Sequence, residues 1–429
     1  MSAANLLATA PLTPPSGTRL SEVRRPSSGA CLLTLNAGSS SIKFALFDAE
    51  GPRLRIVGQI EGLGADAAFH ARSADHAIDE HYAWSAGNGP VNHGDALTWI
   101  IAWLAQHVPG LDVVAVGHRV VHGGLAYSAP VLVDDAVVAR LHELEPLAPL
   151  HQPHNLAGIA AARAAFGTVP QVACFDTAFH RDHPFVNDCF ALPRELYDAG
   201  VRRYGFHGLS YEYVAGRLRE LFPMHVAGRV LVAHLGNGAS MCAMRDGRSI
   251  ASTMGFSALD GLPMGTRCGQ LDPGVLLYLM QHEGMSADEI ADLLYKRSGL
   301  KGLSGGLSHD MRALEAAATV AAGEAIDYFV FRIKREIGGL AAALEGLDAI
   351  VFTGGIGENS AHIRSRVLQG MAWLGIELDE ARNRDGETVI SSSRSRVLCL
   401  RIPTDEEGMI ARHTLEIAMQ NRTSAAVPA

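Results

Sequence analysis

The first hydrophobic cluster begins after residue 30. CLLTLN, from Cys31, reads as a buried strand, a small-residue turn AGSSS follows, and IKFALFD gives a second strand that closes on Glu50-Gly51. The same order returns further along as VLVAHL, the turn GNGAS, MCAM, an Asp246-Gly247 turn and RSIAST. Laid over each other, the two passages put Leu35 on Leu235, Gly38 on Gly238 and Ser40 on Ser240. A duplicated strand-turn-strand unit predicts two related halves facing each other across a cleft. Between the hairpins, apolar segments such as VVAVGHRVVHGG and PQVACFDTAF alternate with Ala-rich stretches such as NLAGIAAARAAF, the grammar of an α/β protein.

After Thr253 the pattern turns more helical. SADEIADLLYKRSG carries a capping box in Ser286 and Glu289, with Gly299 just beyond its end. Met311 to Leu347 reads as one long amphipathic helix, AIVFTGG as a short buried strand, and PTDEEGMIARHTLEIAM as a turn feeding a last helix. No low-complexity linker divides the body, so a boundary near residue 180 rests on the repeat.

Composition narrows the picture. At 429 residues with 48% hydrophobic and 19% charged positions, the chain has room for two or three cored domains. A formal charge of -9 gives no global attraction to nucleic acid or to a membrane surface, so an anionic substrate must be held by local cations. Six cysteines scattered without a CxxC pair suit a reducing cytoplasm. No apolar run reaches the roughly 18 residues of a membrane span. The first 29 residues, rich in Ser, Pro and Arg, lack the apolar stretch of a secretory signal and read as a disordered leader.

Three turns are alike in being polar and glycine-rich, namely Asn36 to Ser41, Gly236 to Ser240 and Gly354 to Ser360. Such turns after strands present backbone N–H groups to phosphate, although any one of them is equally a plain tight turn. No GxxxxGK[ST] occurs and no GxGxxG opens a helix after a strand, so phosphate binding of another kind is expected. Arg119 in GHRVVHGG and Arg267 in GLPMGTRCGQLDP sit among glycines, where a guanidinium can approach a phosphoryl or carboxylate group. Asp176, His207 and Glu406 add a carboxylate, an imidazole and a candidate cation ligand. HQPH, from His151 to His154, is a weak zinc motif, because its proline is expected to break a helical face and no third ligand follows.

With these residues in view, the chain resembles acetate kinases of the acetokinase family of short-chain carboxylate kinases, from about Cys31 to about Thr414. LNAGSSSIKF, GHRVVHGG, APLHQPHN, FDTAFH, YGFHG, HLGNGAS, MGTRCGQLDP, FTGGIGENS and TDEE carry the resemblance, in that order. It implies a two-domain actin-like ATPase fold, a duplicated βββαβαβα core with a nucleotide cleft. The expected division is a leader over 1–29, a first half over 30–178 plus 405–429, and a nucleotide-binding half over 179–404.

The activity implied is reversible, ATP-dependent phosphorylation of acetate to acetyl phosphate, in a cytoplasmic homodimer with no nucleic-acid or membrane partner. Mg2+ is the implied cation, with Mn2+ as an alternative, held by Asn36 and Glu406. Ser39, Ser41 and Lys43 would line the phosphate side of the first hairpin. Arg119 and Arg267 would clamp the carboxylate and the transferring phosphoryl group, His207 would stabilise that group's charge, and Asp176 would orient or exchange a proton. The nucleotide phosphates would lie against His234, Leu235, Gly236, Asn237 and Gly238, and against Gly355, Ile356, Gly357, Glu358 and Asn359. Asp310, Met311 and Arg312 fall where the family contacts adenosine.

Val121, Leu150, Phe206 and Ala258 would form the pocket for the acyl methyl. The family usually has proline where this chain has Ala258, a threonine and a histidine where it has Leu209 and Tyr211, and TNEE where it has TDEE. These departures keep propionate or butyrate as alternative substrates, with a non-kinase actin-like ATPase as a more distant reading.

Overall fold

The computed structural model describes residues 29–85 and 87–425, so the expected leader, apart from Gly29, lies outside the described residues. Among the described residues, the chain divides into two compact units, one of residues 29–123, 129–175 and 407–425, the other of 124–128 and 176–406.

The first unit is built on an eight-stranded sheet in the order β5-β4-β3-β2-β1-β6-β8-β7. Its strands are β1 (Ala30–Ala37), β2 (Ser41–Asp48), β3 (Leu54–Glu61), β4 (Ala68–Ser73), β5 (Asp79–Ala83), β6 (Asp112–Val120), β7 (Val131–Leu132) and β8 (Gln171–Phe175). β1 to β5 form an antiparallel meander, while β6 returns through a helix to lie parallel to β1, and β8 parallel to β6. Alternation along each strand divides the apolar residues between two faces. Leu33, Leu35, Phe44 and Phe69 meet Trp99 and Trp103 of the helix His93–His107 on one face. Leu32, Ala45, Phe47 and Ala115 meet Ala411 and Ala418 of the C-terminal helix Glu406–Ala425 on the other. Gly117 of β6 makes that second contact close: a methyl there would stand 2.1 Å from Thr414 Oγ1 and 2.6 Å from Ile410 Cγ2.

The second unit repeats the plan. β9 (Arg229–Leu235), β10 (Ala239–Arg245), β11 (Arg248–Ser252), β12 (Ala349–Thr353) and β13 (Leu398–Arg401) lie in the order β11-β10-β9-β12-β13. That is the order and sense of β3-β2-β1-β6-β8: an antiparallel meander of three strands, then two added in parallel. The helix Gly208–Leu221 buries Tyr211, Val214, Ala215 and Leu218 against one face. The 25-residue helix Val320–Leu344 packs against β9 and β10. The α/β expectation and the duplicated hairpin are therefore features of the molecule, as is the capping box of Ser286 and Glu289.

Four local readings change. The expected continuous helix from Met311 to Leu347 is two, Met311–Ala316 and Val320–Leu344, because Ala317 is extended and the Thr319 side chain caps a new start by accepting from Ala322 N. Pro153 does not break a helical face. It lies in the first turn of the helix Gln152–Phe166, where a missing N–H costs nothing. Residues Gly354–Asn359, expected as a turn, form a six-residue helix. The strands β3 to β5 have no counterpart in the sequence reading, since short apolar alternation with Gly58 and Gly62 gives little contrast.

Candidate active site

In each unit some of the residues singled out from sequence lie at the carboxyl ends of two adjacent parallel strands, the place where open α/β sheets bind ligands. In the first unit, β1 and β6 run in register with Thr34 opposite Gly117 and Leu35 opposite His118. The next pair along these strands is Asn36 and Arg119, both half-buried. Asn36 is also the antiparallel partner of the exposed Lys43 on β2, so amide, guanidinium and ammonium come from three neighbouring strands.

Two side chains that sequence reasoning did not assign hold these strand ends. Buried Asn155 donates from Nδ2 to Ala37 O (2.8 Å), while its Oδ1 accepts from Val121 N (2.9 Å). Gln152 donates to His122 O at 3.1 Å. His93 Nε2 donates to Gly38 O at 2.7 Å and so fixes the turn itself. The HQPH segment thus supplies backbone clamps from Gln152 and from Asn155, the residue that follows it. Val121 is buried and Leu150 half-buried in this unit.

In the second unit, β9 ends beside β12, with Thr353 opposite His234. The turn Gly236–Gly238 and the start of the helix Gly354–Asn359 follow. Gly354, at φ +75°, lies so close to Leu235 that a methyl would come within 2.8 Å of its carbonyl oxygen. Glu358 turns inward, accepting from Gly354 N (2.8 Å) and Thr404 N (3.0 Å), while Asn359 Nδ2 donates to Gly355 O. Ile356 is half-buried and Gly357 buried. Asn237 O accepts from Gly265 N at 3.1 Å, tying the turn to the segment that carries Arg267. Asp310 caps the helix Met311–Ala316 and pairs with Arg312, whose guanidinium and N–H hold its carboxyl down at about 2.

His207 stands in the left-handed region at φ 57°, an uncommon conformation for a non-glycine residue. Its ring stacks on His234 with centroids 4.4 Å apart, and His234 Nδ1 is bonded to Ser210 Oγ at 2.8 Å. His207 Nδ1 lies 2.8 Å from the buried Ser240 hydroxyl, which also makes a short bond with the Tyr211 hydroxyl. Burial pushes the Tyr211 phenol well above its usual range, so it remains a donor. We assign its proton to Ser240 Oγ and the proton of Ser240 to His207 Nδ1, which leaves the neutral imidazole with its proton on Nε2. A methyl at Gly238 would lie 3.1 Å from that Nε2 and 3.9 Å from Arg267 Nη2. Arg267 is steadied by Nη1 donating to Ala258 O at 3.1 Å. The bare backbone of Gly238 therefore lets the His207 ring and the Arg267 guanidinium approach the turn, where any side chain would crowd the imidazole.

Asp176 is buried, and its backbone oxygen accepts from Gly208 N, directly after His207, at 2.8 Å. His180, which ends FDTAFH but has no role assigned from sequence, donates from Nε2 to Phe206 O at 3.0 Å. Burial lowers its pKa to about 4, so it holds the residue before His207 as a neutral ring. Phe206 is buried, while Ala258 and Glu406 are half-buried. Nothing in the local pattern marks Ser240, His180 or Asn155 for these roles, and Tyr211 stands out only as a departure from the family pattern.

The acetokinase family model matches residues 31–412 of this chain. The acetate kinase of Methylocella silvestris is 63% identical over 399 residues, covering 91% of this chain and 98% of that protein. The crystal structure of Porphyromonas gingivalis acetate kinase aligns at TM-score 0.82 and 37% identity, over 91% of this chain and all of that one. A propionate kinase from Francisella tularensis aligns at TM-score 0.84 and 36% identity, over 90% of this chain and all of that one.

The hydroxyl relay makes a specific prediction. Ser240→Ala is expected to lower kcat about tenfold, equivalent to about 1.4 kcal/mol of transition-state stabilisation, and Tyr211→Phe to lower it less. An unchanged kcat in Ser240→Ala would show that the hydroxyl pair does not hold His207 for the reaction.

Proposed function

We infer the roles of individual residues from the premise that this chain belongs to the acetokinase family and phosphorylates acetate with ATP. The observation that carries the reading is the convergence of His207 Nε2 and Arg267 Nη2 on Gly238 of the phosphate-style turn, 3.1 and 3.9 Å from where a side chain there would start. In-line transfer forms a bond from an acetate oxygen to the γ-phosphorus as the bond to the β,γ-bridging oxygen breaks. Charge accumulates on the phosphoryl oxygens, so catalysis is mainly positioning and electrostatics. Arg267 and the Nε2–H of His207 donate to those oxygens, and Arg119 binds the acetate carboxylate. Asp176, with its backbone fixed beside His207, orients or exchanges a proton. His234 and the Gly236–Gly238 turn, with Gly355–Asn359, cradle the nucleotide phosphates. Asp310, Met311 and Arg312 contact adenosine, and Ser39, Ser41 and Lys43 serve the phosphate side of the first hairpin.

The donor chemistry of Asn36 and Glu406, an amide oxygen and a carboxylate, suits a hard divalent cation. The Glu406 charge adds weakly to the burial that raises the Tyr211 phenol. Mg2+, or Mn2+ with the same oxygen donors, would screen the phosphate charge when bound.

The acyl end is assigned to Val121, Leu150, Phe206 and Ala258. Alanine where the family has proline leaves more room, which favours propionate as a secondary substrate. A homodimer is supported by the helix Pro273–Gln281 of the second unit, none of whose residues is buried although Leu277, Tyr278 and Met280 are each more than half exposed, at 51–54%. Six free cysteines support a reducing, cytoplasmic location.

Arg267→Ala should lower kcat by about a hundredfold to a thousandfold with the fold intact, the size of losing a transition-state donor; an unchanged kcat would take Arg267 out of the mechanism. For Ala258→Pro, kcat/KM for propionate relative to acetate should fall by several-fold, within the roughly 1–3 kcal/mol that one methylene can command, and an unaltered ratio would place position 258 away from the acyl group. Light scattering during gel filtration should give twice the 45.6 kDa chain mass, with Leu277→Asp shifting it toward the monomer. A wild-type mass of one chain would exclude the dimer.

A further inference from the structure

The edge hairpin of the first unit carries three side chains that neither the family motifs nor the reaction uses. His70 on β4 and His81 on β5 are directly opposite each other, and Asp79 lies two residues before His81, on the same face of the sheet. We propose that His70, His81 and Asp79 bind one divalent transition-metal ion of the zinc class.

Spacing is the first argument. Asp79 Oδ1 lies 3.3 Å from His70 Nε2 and 3.4 Å from His81 Nε2, and all three ligand atoms lie within 4.8 Å of one another. Charge-assisted hydrogen bonds from imidazole to carboxylate close to about 2.7–2.9 Å. The edge of a tetrahedron with metal–ligand bonds of about 2.0–2.1 Å is about 3.3–3.4 Å. The two imidazole–carboxylate separations match the second figure and are longer than the first, although His70 and Asp79 are still within hydrogen-bond reach.

Rigidity is the second argument. The loop joining β4 to β5 is tied by its own side chains: Ser73 Oγ donates to Asp75 Oδ1, which also accepts from Ala77 N, and Ile78 N donates to Ser73 Oγ at 2.9 Å. The two strands are paired from Ala68 with Ala83 to Arg72 with Asp79, so register fixes the backbones of the three ligands and leaves only side-chain rotation to binding.

The donor set selects the ion. Two imidazoles and one carboxylate suit zinc and its neighbours, whereas Mg2+ prefers an all-oxygen shell. The rings now stack with centroids 4.0 Å apart and planes 10° from parallel, so rotation about each Cβ–Cγ bond is needed to point the two Nε2 atoms at one centre. Side-chain exposures of 39%, 59% and 71% for His70, Asp79 and His81 leave that rotation unobstructed and the fourth position open to water. The bound ion would staple the edge strand β5 to its neighbour.

The test uses untagged, EDTA-treated full-length protein in excess Mg2+, titrated with Co2+ as the spectroscopic probe. One equivalent should produce the intense visible absorption of tetrahedral Co2+. His81→Asn and Asp79→Asn should each weaken binding by roughly tenfold or more, at least as much as losing a hydrogen-bond partner behind a ligand, while acetate phosphorylation in Mg2+ stays at the wild-type rate. Absence of a one-equivalent tetrahedral signal, or equal Co2+ affinity in wild type and both variants, would overturn the proposal.

Discussion

Everything in this molecule that bears on chemistry hangs from one constraint: the first strand of each sheet pairs in parallel with a strand that arrives from far along the chain. β1 joins β6 and β9 joins β12. A parallel partner forces both strands to end on the same edge, so their following loops emerge together. In the first unit that alignment sets Asn36 beside Arg119, while Lys43 faces Asn36 from the antiparallel strand β2 on the other side. In the second it sets the Gly236–Gly238 turn beside the start of the helix Gly354–Asn359. Antiparallel pairing would have sent one member of each set to the opposite edge.

The strand ends need holding, and the two units do it differently. In the first, Asn155 reaches two backbones at once, accepting from Val121 N and donating to Ala37 O. A buried amide with both ends satisfied is favourable only where the geometry is correct, which makes it specific as well as stabilising. In the second, one serine hydroxyl accepts a hydrogen bond from Tyr211 and donates one to His207 Nδ1. The imidazole is held by Ser240 on one edge and by the His234 ring on one face, in a backbone conformation that non-glycine residues seldom adopt. Such restraint is what preorganised electrostatic catalysis requires.

The hairpins are legible because glycine-rich turns between apolar runs have a steric cause, and the order of nine motifs makes the family visible. The long-range clamps are not. Asn155 meets Ala37 across 118 residues, and no pattern in APLHQPHN says that its amide will face two backbones. Pro153 misleads for a related reason: a proline ends a helix in its interior but opens one in its first turn, and position within the helix is what local pattern reads least well. The segment after β12 looks like a turn because its glycines signal one, yet Glu358 reaches back to Gly354 N and closes it into a helix. Tyr211 is visible only as an unusual residue in its place, and its meaning comes from Ser240, on another strand. The pairing of His70 with His81 depends on a hairpin whose strands have too little contrast to be read.

The central claim is that these residues make an acyl phosphate from ATP and a short carboxylate. Incubating the purified protein with Mg-ATP, acetate and hydroxylamine tests it most directly. Acyl hydroxamate should form in step with ADP and only when acetate is present. ATP hydrolysis without hydroxamate would contradict it.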